Sequence, residues 1–143
     1  MTPNQWIERW FQRLWNEGRA ETIDEMVAPD GILLGLPGGP YRGHQQIHDY
    51  FSAMTDAFCD FDVVLNESME WGEEGMARFN LNVTHRGSGH RAGLECAAWY
   101  RCRNSLLLEG RNYIDFLALL QQLGLSSADS FQTAVSQRPV TVS

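Results

Sequence analysis

The sequence predicts an α+β fold, with helices packed over one face of a curved antiparallel sheet and a cavity enclosed between the two layers. Three observations carry this. Apolar spacings of three and four dominate the first 58 residues, period-two alternation dominates residues 61–115, and a length of 143 residues suits one core. Apolar residues at 43% and charged residues at 20% mark a globular composition, not a disordered one.

The helices come first. In residues 2–19, Thr2 is placed to N-cap, Pro3 suits the first helical position and Gln5 completes a capping box. Trp6, Ile7, Trp10, Phe11, Leu14 and Trp15 form one broad apolar face, and Gly18 ends the helix. Residues 20–27 predict a short second helix closed by Pro29. Residues 31–36 predict a short strand, and residues 37–43, "PGGPYRG", a loop. Residues 44–58 predict a third helix with Ile47, Tyr50, Phe51, Met54 and Phe58 on one face.

Strands follow at residues 61–71, 76–87, 90–103 and 106–115, with "NS" at 104–105 as a tight turn. In the second of these, Arg78, Asn80, Asn82 and Thr84 share one face and Phe79, Leu81 and Val83 the other. Residues 116–124 predict a closing helix. The domain is expected to span 1–124, with 125–143 a polar tail that wraps the surface or frays.

Composition narrows the function. A net charge of -7 argues against a nucleic-acid partner. No apolar run approaches a membrane span, and the N-terminus lacks the pattern of a signal peptide. The three cysteines, Cys59, Cys96 and Cys102, have no paired spacing, which predicts a reducing, cytoplasmic setting. There is no GxGxxG, no GxxxxGK and no serine elbow, so no nucleotide cofactor or acyl-serine chemistry is expected.

The segments "WFQRLWNEGRAETIDEMVAPDGILL", "GPYRGHQQIHDYF", "THRG" and "IDFLALLQQLG", in this order, resemble the SnoaL-like polyketide cyclase family. That family lies within the nuclear transport factor 2-like superfamily, whose α+β fold is cone-shaped. The resemblance covers nearly the whole chain to Gly124. It implies a cofactor-independent enzyme acting on a hydrophobic, oxygenated small molecule by cyclase or isomerase chemistry. It also implies a homodimer, because the exposed sheet face of this fold is commonly paired.

The resemblance places Asp115 where these cyclases keep an acid/base aspartate. The string "RNYID" also resembles the "RDYFD" segment of limonene epoxide hydrolases, which carries their water-activating aspartate. Arg111, Tyr113 and Asp115 share one strand face by period two, so Arg111 and Tyr113 are candidate substrate contacts. An apolar cavity would raise the Asp115 carboxylate toward neutrality, as proton transfer requires. The alternative is structural: Asp115 caps the closing helix or pairs with an arginine such as Arg101 or Arg103. The Arg-x-Asp pair of the epoxide hydrolases corresponds here to Arg78 and Asn80. Asn80 can orient a water or carbonyl but is no acid. The water-holding tyrosine and asparagine of that family would fall near Leu33 and Gly35 and are absent. The "LLGLPGG" stretch also lacks the aspartate base of ketosteroid isomerases. Arg78 and Asn80 are candidate catalytic residues beside Asp115, able to orient the substrate or stabilise an enolate-like oxyanion; if the apolar face of Phe79, Leu81 and Val83 lines the cavity, the pair points away from it instead.

Trp10, Leu14, Leu34, Phe51 and Trp99 complete the candidate substrate contacts. Trp99 and Tyr100 are adjacent, so only one faces inward. His44 and His48 have a metal-chelating spacing but no third ligand in sequence, and read as a solvated helix flank; no metal is expected. His85 and His90 read as turn residues, and the cysteines as small buried side chains. The readings that remain are a cyclase or isomerase, an epoxide hydrolase-like enzyme, and a non-catalytic ligand-binding or dimerisation module.

Overall fold

Thr2 starts the first helix as the sequence predicts: its hydroxyl accepts the Gln5 N–H and the Gln5 side chain accepts the Thr2 N–H in return. The computed structural model describes residues 1–137. Its helices are α1 (Pro3–Trp10), which continues as a π-helical segment at Phe11–Asn16, α2 (Thr22–Met26), α3 (Gly43–Ala57), α4 (Phe116–Gln122) and α5 (Ser130–Ser136). The strands are β1 (Val27–Leu34), β2 (Tyr41–Arg42), β3 (Phe58–Trp71), β4 (Glu74–His85), β5 (Arg91–Arg103) and β6 (Leu106–Tyr113).

The strands form one open sheet in the order β2-β1-β6-β5-β4-β3. The three long strands pair antiparallel, as does β6 with β5. One pairing departs from the expected antiparallel run: β1 and β6 are parallel. The chain leaves β1 through β2 and α3, builds the sheet from its far edge, and returns as β6 in the direction of β1. Pro29, expected to close α2, lies within β1 where the β1–β6 register shifts between Val27 and Ile32. The Pro/Gly-rich stretch expected as loop contains β2, which pairs Tyr41 with Leu33 and Arg42 with Ile32. The Asn104–Ser105 turn has φ of 52° and 64°, the left-handed pair that joins strands tightly.

Alternation assigns one dry face. Phe79 on β4 sits opposite Cys96 on β5, Leu81 opposite Leu94, and Val83 opposite Ala92. Further along, Tyr100 on β5 pairs with Gly75 on one side and Gly110 on the other. A Cβ on Gly75 would stand 2.3 Å from the Tyr100 ring, so glycine is what lets that ring lie flat on the strand. Tyr100 is thus the inward member of its pair, and Trp99 the outward one.

The first helix lays Trp6, Ile7, Trp10, Phe11 and Leu14 into this core. Trp6 stacks on Trp10 at 5.1 Å between ring centroids, and its Nε1–H donates to the Met26 carbonyl at 2.9 Å. Burying each large side chain of this kind contributes about 1.5–3 kcal/mol relative to exposure. His44 and His48 lie half-exposed on the helix flank, and each is also hydrogen-bonded. His44 Nε2 donates to the Val27 carbonyl at 2.7 Å, and His48 Nε2 donates to the Asp24 carboxylate at 3.0 Å, pinning α3 to α2 and β1. Within the predicted tail, α5 buries none of its residues; residues 138–143 lie outside the described residues. No helix among the described residues is long and apolar enough to cross a membrane.

Gly35, at the end of β1, has φ +81°, and a Cβ there would fall 2.0 Å from the Asn112 carbonyl oxygen. Gly35→Ala is expected to cost more than about 2 kcal/mol, from left-handed strain plus a backbone clash that cannot relax locally. Equilibrium urea unfolding checks this through the midpoint.

Candidate functional site

The cavity lies between the π-helical segment, α3, the dry sheet face and the start of α4, with a volume of about 100 Å³. Eight of its lining side chains are aromatic, among them Trp10, Phe11, Trp15, Tyr50, Phe79 and Phe116. Each arrives by a local rule. The first helix supplies Trp10, Phe11 and Trp15 from its apolar stripe. Tyr50 and Met54 are one turn apart on α3, and Phe79, Leu81 and Val83 are the inward set of β4. Trp15 packs against Phe61 at 5.1 Å and meets Tyr50 edge-on at 6.4 Å.

The polar equipment is sparse. Besides the two tryptophans, Tyr50 and Asn112 are the lining residues that carry polar side-chain atoms. Burial, and then the neighbouring Tyr41 phenol, hold the Tyr50 hydroxyl well above the usual phenol range, so it stays protonated as a donor at physiological pH. Asn112 Nδ2 donates to the Leu34 carbonyl at 3.1 Å, and its Oδ1 has no donor among the described residues. No Asp, Glu, His, Lys or Arg among the described residues lines the cavity.

Asp115 stands elsewhere. Ile114 and Phe116 line the cavity, whereas the Asp115 side chain between them is exposed and its Oδ1 accepts the Ala118 N–H at 2.9 Å as the N-cap of α4. Arg111, Tyr113 and Asp115 do share one face, and it is the outer one. On β6 the inward parity belongs to Gly110 and Asn112, which sit opposite Tyr100 and Ala98, so Arg111 and Tyr113 point outward with Asp115 following that side. Arg111 instead bonds Glu109 at 3.0 Å and lies 6.0 Å from the Trp99 ring centroid, both on the outer face. Arg101 and Arg103 pair with Glu109 and Glu73, not with Asp115.

Arg78 and Asn80 also occupy the outer face. Arg78 bridges Glu67 at 2.9 Å and Glu95 at 3.1 Å, and Asn80 Oδ1 accepts from Asn66. Of the remaining predicted contacts, Trp10 lines the cavity. Leu14 is buried in the core beside it, Phe51 packs behind Trp15 at 5.2 Å, and Leu33 takes the inward place expected for Leu34. The buried thiols are inert: burial, followed by the charges of Asp115 and Glu95, pushes Cys96 up to about 11, and burial foremost pushes Cys102 up to about 12. Among the described residues no group of three His, Cys, Asp or Glu is placed to hold a metal.

Sequence reasoning passed over Tyr50 as a polar group and Asn112 altogether. The signal was available: Asn112 lies two residues after Gly110, and the inward parity of β6 follows once Tyr100 is known to face in. The π-helical segment left no sequence signal of its own.

An N-cap role makes a sharp forecast. Asp115→Asn, which keeps a capping oxygen, is expected to leave stability within about 0.5 kcal/mol, while Asp115→Ala loses about 1 kcal/mol. Thermal melts of the two variants against wild type check this; a clear rise in melting temperature for Asp115→Asn would mark a carboxylate held at a cost in the native state.

The model of the SnoaL-like domain family matches residues 7–109 of the chain. A search of curated proteins finds no match. Among solved structures, a protein of Catenulispora acidiphila with a ketosteroid isomerase-like fold, in complex with trimethylamine, is 17% identical with a TM-score of 0.79, covering 88% of this chain and 96% of that one. A candidate SnoaL-like polyketide cyclase from Jannaschia sp. CCS1 is 16% identical with a TM-score of 0.77, covering 86% of this chain and 92% of that one. IdmH from Streptomyces antibioticus, a candidate polyketide cyclase, is 23% identical with a TM-score of 0.75, covering 87% of this chain and 99% of that one. At these identities the likeness is one of fold, the nuclear transport factor 2-like α+β cone. With the family model spanning most of its length, the chain belongs to the SnoaL-like domain family.

Proposed function

We propose that the cavity binds an uncharged, flat, oxygenated hydrophobic molecule of the polyketide kind and promotes a ring-closing or isomerising step on it without a cofactor. The observation that carries this is the lining: aromatic walls, with a protonated Tyr50 hydroxyl and the Asn112 amide as the polar side chains beside the indoles. Tyr50 would donate to a ketone oxygen and hold the negative charge that grows there as an enolate forms, and Asn112 Oδ1 would accept from a substrate hydroxyl. With no carboxylate or imidazole among the described lining residues, the chain's part in the chemistry is orientation and oxyanion stabilisation, with water as the proton carrier. Asp115 contributes by fixing the start of α4, which carries Phe116 and Leu119 into the wall.

The same neutral lining favours a second reading, a binding module that holds its ligand without turnover. A short linear poly-β-ketone that cyclises slowly in buffer separates the two, since an enzyme accelerates the closure and a carrier does not. The ligand class itself is tested by tryptophan fluorescence, because Trp10 and Trp15 line the cavity. 2-Naphthol is expected to quench saturably and to bind at least about tenfold tighter than 2-naphthoate, whose charge finds no partner inside. Tyr50→Phe is expected to weaken 2-naphthol by about 3- to 10-fold. Absence of saturation, or a preference for the anion, overturns the reading.

We also propose that the protein is a homodimer joined through the outer sheet face. Val64, Met69, Trp71, Met76 and Tyr113 are exposed there, and the strand register puts them on one side of the sheet. Gel filtration at low concentration is expected to show twice the 16.3 kDa chain mass; a monomer alone would rule the dimer out.

A further inference from the structure

We propose that Asn16 is a specificity-determining positioning residue, which sets the width of the cavity by clamping β3 to the end of the first helix. This rests on the cavity being a ligand site. β3 is the last strand of the sheet, so one of its edges has no neighbouring strand. At Val63 the Asn16 amide takes the place of that missing strand. Asn16 Oδ1 accepts the Val63 N–H at 2.7 Å, and Asn16 Nδ2 donates to the Val63 carbonyl at 3.0 Å. A primary amide carries one donor group and one acceptor, as a peptide unit does, so it can pair both backbone groups of one residue.

What the clamp holds is cavity wall. The Val63 side chain lines the cavity, as does Phe61 on the same strand. Trp15, the residue before Asn16, lines it from the helix and packs against Phe61. The β3–β4 register shifts between Cys59 and Asp62, just before Val63, so the clamp sits where the regular ladder resumes after that irregularity. The π-helical segment completes the device. Its wide turn, with the Glu17 N–H donating to the Gln12 carbonyl at 2.9 Å, brings Asn16 to β3 one residue later than an α-helix would. One residue is about 100° around an α-helical axis, enough to aim Asn16 away from Val63.

The test uses two neutral flat probes of different width, 2-naphthol with two fused rings and 1-hydroxypyrene with four. Asn16→Asp keeps size and shape and can still accept the Val63 N–H. It loses the donor, and it sets a carboxylate against the Val63 carbonyl. The expected result is a shift of about tenfold in relative affinity toward the wider probe, the scale of one lost hydrogen bond in the wall. Asn66→Asp, an equal change on the outer face, is expected to leave the ratio where it was. An unchanged ratio in Asn16→Asp, or the same shift in both variants, overturns the assignment. Wild type that binds neither probe overturns the cavity reading itself and this assignment with it. If Asn16→Asp does not fold, hydrogen exchange on wild type decides: saturation with 2-naphthol is expected to slow exchange of the Val63 amide at least about tenfold, and no slowing overturns the clamp.

Discussion

A sheet with one dry face leaves each strand two choices of side-chain parity, and here β4 makes the choice for its neighbours. Once Phe79, Leu81 and Val83 turn inward, hydrogen-bonded register forces Cys96, Leu94 and Ala92 inward on β5, and Ala98 and Tyr100 then force Asn112 and Gly110 inward on β6. The helices, the cavity and its polar groups all inherit that choice. A slip of one residue would bring Arg78, Glu95 and Arg111 into the core and expel Phe79 and Tyr100 to water, so the register is held by the whole of the apolar burial.

Much of this was legible in the residues. The capping box at Thr2, the apolar stripe of the first helix, the alternation of β4 and the turn at Asn104–Ser105 each state their structure locally, because each depends on neighbours within a few positions. The family resemblance supplied the cone. What escaped depends on distant partners. Gly75 beneath Tyr100 decides which of Trp99 and Tyr100 faces in, and those residues lie 25 positions apart in sequence. The parity of Asp115 hangs on the same decision, which is why a carboxylate between two apolar residues read first as a catalytic group, with the cap as its alternative. The parallel β1–β6 pairing likewise exists only once the chain has travelled across the sheet and back.

The site that results is a site by shape more than by charge. Ion pairs are abundant in the molecule, but those on the sheet, such as Glu67–Arg78–Glu95 and Glu109 with Arg101 and Arg111, belong to its outer face. Exposed pairs of this kind contribute little to stability. Within the cone, the free energy available to a ligand comes from apolar burial and ring contacts, and the few polar atoms serve to fix its orientation.

The π-helical segment also has a meaning in lineage. Such a segment is what an α-helix becomes when it accepts one extra residue without losing its flanking turns. Deleting a single residue within Phe11–Asn16 would let the helix close into an unbroken α-spiral and swing Trp15 and Asn16 away from Phe61 and Val63. The ceiling of the cavity is therefore one codon away from a different shape while the sheet beneath it stays the same, a short evolutionary route from one ligand to another on a single fold.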